Sequence, residues 1–360
     1  TNLSNNNAAV NNTNNTDFKL DLIKDNSGLN CLFTNGYTGN GTISTYWLYT
    51  FINGLTYWDW AQLGTSTPIK PGIGYTQKGT GISTDQQYIF EGKPNNGTIL
   101  LDVVDKGGAG SEPTVTETTY LMGNPYPSAI DVGKFIDDNE GVIDGVLQLW
   151  QQWSGTSHNL NEYNGGYAQL NKLGAIRAYQ FVGITGANNG NQNGTKVPTK
   201  YLPVGQAFIT EIVADGKVEF NNSQRVFIKE ADANGSFNSG SIFLKNRNDK
   251  KASKEAVAKA ETEDSNNNAV FKKMRLEMQS VSGPETHREL LLGFSDITSD
   301  AYDYVYDSKN VDINNNDIHL NLDGKDMNIQ AYGAVELDKV VPLNFKSSGD
   351  NSFEIKLSEI

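Results

Sequence analysis

Two kinds of residue cluster in this chain could do chemistry. The run "SDITSDAYDYVYDSKNVD" sets Asp296, Asp300, Asp303 and Asp307 close together. Hard cations take several oxygens, and clustered carboxylates with loop carbonyls supply them, so calcium is the metal this run suggests. The spacing is not that of an EF-hand, and the competing reading is a set of turn-forming surface acids. The nearby "DINNNDIHLNLD" has an Asp-x-Asn-x-Asn start but no Gly at the sixth place. The second cluster is aromatic. "YWDWAQ" carries Trp58 and Trp60, and "LWQQW" carries Trp150 and Trp153. On a strand, Trp58 and Trp60 share one face and Tyr57 and Asp59 the other. Exposed indoles stack on sugar rings while Asn, Asp and Gln bond the hydroxyls. The competing reading is core aromatics in a Leu-poor sheet.

Other catalytic patterns are missing from the sequence. There is no G-x-S-x-G elbow, no H-E-x-x-H and no Walker loop; "GANNGNQNGTK" is Gly-rich but lacks the required ending. The three histidines, His158, His287 and His319, stand far apart. Glu162 and Glu211 lie in aromatic-rich sequence, but paired carboxylates for glycoside hydrolysis are defined by separation in space. They read as strand-edge acids. The single cysteine, Cys31, permits no intrachain disulfide and reads as a small buried hydrophobe. No enzyme and no cofactor are expected, calcium being the one candidate.

The elements that must position these residues are strands. Hydrophobic residues make up 37% of 360, but sixteen Tyr, fifteen Phe and five Trp supply large buried areas. Gly stands at 36 residues, and with the many asparagines it implies frequent turns. Turn-rich and aromatic-rich together mean an all-β chain of short strands. A net charge of −13 argues against nucleic acid and against an anionic membrane surface. No apolar run is long enough for a spanning helix. Thr1 does not open a signal peptide, so an exported parent would be represented by its mature form or a fragment.

Residues 1–16 are Asn-rich and expected to be disordered. "DFKLDLI" alternates as a strand. An inexact repeat follows, giving related units at about 17–118 and 119–245 within one β-rich domain. Each has a Trp-bearing strand, a polar hairpin, and a turn into "G-x-G/A-Y/F", so that Gly72 and Gly74 match Gly205 and Ala207, and Tyr75 matches Phe208. Between the copies, "LMGNPYPSAIDVGKFIDDN" reads as a strand-to-helix corner. Its prolines end the strand, Ser128 caps a short helix, and Ile130, Phe135 and Ile136 form the apolar side. One X-Pro bond there is a candidate for the cis form. Residues 246–268 are a charged linker. From 269 to 360 a smaller β-sandwich is expected, open to being incomplete at its C-terminus. In "FKKMRLEMQS", Phe271, Met274, Leu276 and Met278 are the inward candidates, and Asp323-Gly324 turns a hairpin.

"LMGNPYPSAIDVGKFI", "LQLWQQWSGTSHNLNEYNGGYAQLN", "YLPVGQAFI", "VEFNNSQRVFIKE" and "RLEMQSVSGPETHRELLLGFSDITSDAYDYVYDSKNVD" resemble the C-terminal region of large Bacteroidetes (Flavobacterium-type) proteins exported by the type IX secretion system. In those proteins a sorting domain follows this region. The resemblance implies a secreted or cell-surface location and contact with the type IX translocon during export. That group is defined by export more than by activity; the tandem β-units, the charged linker, the low basicity and the lack of a recognisable catalytic set are what point to a non-enzymatic structural, adhesive or interaction role, gliding motility included. The alternative is a glycan-binding module of a secreted polysaccharide-degrading protein, with an extracellular glycan or surface protein as partner.

Overall fold

A computed structural model describes residues 4–5, 18–56, 58–82, 86–107, 117–154, 164–179, 194, 196–229, 240–244, 271–283, 286–312 and 315–359. The expected linker 246–268 and most of the Asn-rich segment 1–16 lie outside these, although Ser4–Asn5 pairs antiparallel with Lys93–Pro94. The chain is all-β and sandwich-like. Its longer elements are β1 (Ile99–Val103), β2 (Thr118–Gly123), α1 (Val132–Asp138), β3 (Leu147–Ser154), β4 (Asn164–Leu170), β5 (Ala207–Ile212) and β6 (Gly216–Phe220). After them come β7 (Lys272–Ser282), β8 (His287–Phe294), β9 (Asp317–Leu322), β10 (Lys325–Tyr332), β11 (Leu343–Lys346) and β12 (Ser352–Glu359). Among the described residues no helix is long and apolar enough to cross a membrane.

Two compact units form, Thr1–Asp144 with Leu202–Ile228, and Gly145–Tyr201 with Lys229–Ile360. These cut across the boundaries the repeat suggests, because the segment from Gly145 to Tyr201 groups with the C-terminal residues.

In the first unit, β2 is the middle strand. β5 pairs antiparallel along one edge, with Ala207 opposite Gly123 and Ile212 opposite Thr118. The other edge takes bonds from the first repeat copy: Leu121 N–H donates to Phe51 O, Gly74 N–H to Leu121 O and Gly123 N–H to Gly72 O. The two segments aligned by sequence thus lie on opposite edges of one strand. Gly72 and Gly205, the matched pair, both sit in the left-handed region, at φ +87° and +74°.

The corner after β2 is held by buried Asn124. Its Oδ1 accepts from Tyr126 N–H at 2.9 Å, and its amide donates to the carbonyls of Ser128, Leu202 and Pro203. Tyr126 is buried, and its hydroxyl donates to Gly97 O at 2.6 Å. No described peptide bond is cis. The helix starts later than the sequence suggests. Ala129–Asp131 is a short strand, and Asp131, not Ser128, is the N-cap, accepting from Lys134 N–H. An acid at this position satisfies a free helix amide and faces the positive end of the dipole. Val132, Phe135 and Ile136 are buried, with Phe135 against Phe208 and Phe220 at 5.5 and 5.0 Å. Phe18–Ile23, the described part of "DFKLDLI", is not a strand; Leu20–Leu22 is a 3-10 turn that buries Phe18, Leu20 and Ile23 together. Cys31 is half-buried against that cluster.

In the second unit, β3 and β4 form an antiparallel hairpin from Leu147 opposite Leu170. A seven-stranded sheet runs in the order β11-β9-β10-β8-β7-β12, with Ser308–Lys309 also on β10. Among the described residues only β8 and β10 are parallel neighbours in it. Asp323 and Gly324, at φ +52° and +82°, turn the β9–β10 hairpin as the sequence predicts. One face carries Met278, Leu290, Leu292, Ile318, Leu320 and Met327, with Met274 and Leu276 half-buried against them. Phe271 does not join this face. It packs with Tyr306 on a second cluster of Leu173, Ile176, Leu291, Ile329 and Ala331, because residue 271 is out of phase with 274, 276 and 278. Leu173 comes so close to β8 that a Cβ on Gly293 would lie 2.3 Å from it. The sheet curls: Phe345 on one edge strand, β11, meets Phe353 on the other, β12, at 5.4 Å.

Candidate functional site

Trp58 and Trp60 do not share a strand face. Trp58 and Trp60 lie outside any strand, which is confined to Ala61–Gln62. Trp58 is 65% exposed in a turn, while Trp60 packs on Phe51 at 4.8 Å. The turn is built by Asp59, whose carboxylate accepts from Leu55 and Thr56 N–H at 2.8 Å each. Those two amides hold the Asp59 carboxyl below its usual range. Trp150 is half-buried and meets Tyr167 across the β3–β4 hairpin at 4.9 Å. Trp153 is in β3, and its side chain lies outside the described residues, as do Tyr57, His158 and Glu162.

A different aromatic group is assembled in the first unit. Tyr37, Tyr46 and Trp47 touch one another at 4.8, 5.2 and 4.9 Å between ring centroids. The rings are tilted by 58–67°, so they form a notch. Tyr37 and Tyr46 are each 44% exposed. The 3-10 turn Thr45–Trp47 places two of the rings, and the Trp47 indole N–H donates to Tyr37 O at 3.0 Å. The loop carrying Tyr37 is drawn in at Gly39, where a Cβ would lie 2.1 Å from Thr42 O. Gly41 N–H donates to Thr80 O at 2.9 Å. Lys78 closes the group, its ammonium 4.1 Å from the Trp47 centroid. Burial lowers the Lys78 amine to about 8. Asn35, Thr45 and Gln62 supply amide and hydroxyl groups alongside, linked at 3.2 Å through Thr45. Sequence alone does not point to this group, because Tyr37 stands well before the Thr45–Trp47 turn and only the loop closure brings it to Trp47.

The four aspartates are used in turns. Asp296 is exposed beside Ser295. Asp300 accepts from Gly333 N–H and pairs with Lys339. Asp303 accepts from Ser299 N–H at 2.7 Å. Asp307 is fully buried and accepts from Asp303 N–H at 2.8 Å and Ala331 N–H at 2.7 Å. Burial pushes its carboxyl up to about 7, against the pull of those amides. Among the described residues no group of three or more His, Cys, Asp or Glu is placed to hold a metal ion.

Several other titratable groups brace the second unit. Arg288 is buried with Asp317 and Asp312, and its guanidinium lies 4.0 Å from the Tyr179 ring. Glu289 accepts from Arg275 at 2.6 Å and Arg177 at 2.9 Å, and Arg177 also reaches Glu277 at 3.1 Å. His287 is 3.5 Å from Glu277. His319 is buried, 2.9 Å from Asp326, with its imidazolium disfavoured by burial. Glu211 sits in β5, opposite Thr119.

An all-β chain with an exposed aromatic notch and buried ionic braces is the class these features define. The chain belongs to the family described as a domain of unknown function, DUF8693, whose model matches residues 2–360. No curated protein and no solved structure matches it.

Proposed function

We propose that this chain is a non-enzymatic interaction region of a cell-surface protein exported by the type IX secretion system, and that it recognises carbohydrate. The observation that carries the reading is the exposed notch of Tyr37, Tyr46 and Trp47, with Asn35, Thr45 and Gln62 beside it. Ring faces stack on the apolar side of a pyranose, and the amide and hydroxyl groups bond its hydroxyls. The surface address rests on the sequence resemblance, and the translocon is the partner it implies. Adhesion follows mechanically, since a rigid sheet scaffold holds a small binding surface on its loops.

The test is a titration of the chain with a panel of soluble polysaccharides and oligosaccharides, read by tryptophan fluorescence and calorimetry. Saturable binding that is lost in Tyr46→Ala supports the reading. A flat response across neutral, acidic and amino-sugar polymers overturns it.

A further inference from the structure

Among the described residues, the edge strand β12 has a strand partner on one side only, and its sequence reads as its own complement. β12 pairs with β7 on one side, and among the described residues no strand pairs with its other side. Its side chains are largely exposed, Ile355 and Leu357 included. Over Phe353–Leu357 the ladder to β7 is regular; the register shifts fall outside, at Arg275/Leu276 and Ser280/Ser282. A long, regular, open edge is a template for pairing, and most proteins blunt it.

The sequence of this edge, Ser352-Phe353-Glu354-Ile355-Lys356-Leu357-Ser358, is self-complementary about Ile355. We propose that β12 pairs antiparallel with β12 of a second copy of this chain, centred on Ile355, so that the two sheets become continuous. In that register Glu354 faces Lys356 of the other copy, twice by symmetry. Phe353 faces Leu357, and Ile355 faces Ile355. Every opposed pair is matched in charge or in polarity, which is what stabilises cross-strand neighbours. The contact is isologous, the surface pairing with itself about a two-fold axis, and so closes at a dimer. In the single chain Lys356 bonds Glu354 at 2.9 Å, with both side chains about half exposed at 47% and 51%. Both charges are therefore on the surface and free to exchange one partner for an equivalent one. Phe353 also meets Phe345 of β11 at 5.4 Å, and Ile355 and Leu357, about half exposed, are the apolar side chains with most surface to bury against the partner.

Sedimentation velocity of the full chain across a concentration series tests this, with Glu354→Lys, Lys356→Glu, their equimolar mixture and the double exchange. Each single variant puts like charges opposite one another and is expected to self-associate about tenfold more weakly than the wild type. In the mixture, the two basic side chains of one variant edge face the two acidic side chains of the other. It is expected to recover a heterodimer, and the double exchange to recover the homodimer. Both positions are exposed, so melting temperatures should stay close to wild type; a variant that does melt early is judged by the double exchange. A wild-type chain that stays monomeric overturns the proposal. So does a dimer that ignores both single substitutions, which would place the contact elsewhere, or a mixture no stronger than its components.

Discussion

Arg288 and Asp317 meet through two parallel hydrogen bonds, Nε to Oδ1 and Nη2 to Oδ2, each 2.8 Å long, with both side chains buried. The geometry is the bidentate fork that guanidinium and carboxylate share. Asp312 adds a bond of 2.9 Å from Nη1, and Asp312 O accepts from Nη2. Burial alone would disfavour the charge on Arg288; Asp312 and Asp317 outweigh it and hold the guanidinium above its ordinary value. The network ties β8 to β9 and to the loop before it.

Removing one member leaves a buried charge without its partner. Arg288→Ala is expected to cost about 3–5 kcal/mol of unfolding free energy. Replacing all three by apolar residues of similar volume is expected to cost far less, because no orphaned charge remains. Urea denaturation of the single and triple variants checks both.

Asp307 gives the stability of the chain a pH dependence. Its folded value of about 7 lies above the ordinary 3.8, so between those values the native chain keeps a proton that the unfolded chain has lost. The contribution to stability is greatest below about pH 4 and is lost as pH rises to 7, by about 2–4 kcal/mol. Asp307→Asn should remove that part of the slope, seen by comparing unfolding free energies of the two proteins from about pH 4 to 8.

Asn124 satisfies four backbone groups at the corner after β2. Asn124→Ala leaves several of them buried without partners, and a loss of about 2–4 kcal/mol is expected. Thermal and urea unfolding measure it. Ser128→Ala, at the position that sequence suggests as the cap, should cost less than about 1 kcal/mol by the same measurement.

In the aromatic notch, Tyr46→Ala is expected to weaken glycan binding at least tenfold, about 1.4 kcal/mol, with little change in melting temperature. Trp58→Ala should leave binding intact, since Trp58 is not one of the three rings that form the notch. Calorimetric titration of both variants separates the two tryptophan-bearing regions.

Much of this was legible in the residues. Period-two alternation at Met274, Leu276 and Met278 gave the inner face of β7, because strand side chains must alternate. Asp323-Gly324 gave the hairpin, because both central residues need positive φ. The prolines after Asn124 ended β2, because they donate no ladder bond. Local rules failed where a neighbour's demands outweighed them. Asp131 took the cap from Ser128 once Ala129–Asp131 was drawn into a strand against Arg225–Val226. The "DFKLDLI" alternation yielded to a turn that buries Phe18, Leu20 and Ile23 at once.

The sequence by itself determined the class of fold, the turn chemistry and the apolar phase of most strands, since these follow from dihedral preference and period. Only the tertiary structure decided which polar and aromatic residues meet. Tyr37 joins Trp47, Arg288 joins Asp317, and Asp307 is committed to Ala331 because loop closure and strand order bring distant positions together. Such contacts have no period in the chain. They arise from packing, which pairs residues by shape and by the need of every buried polar group for a partner.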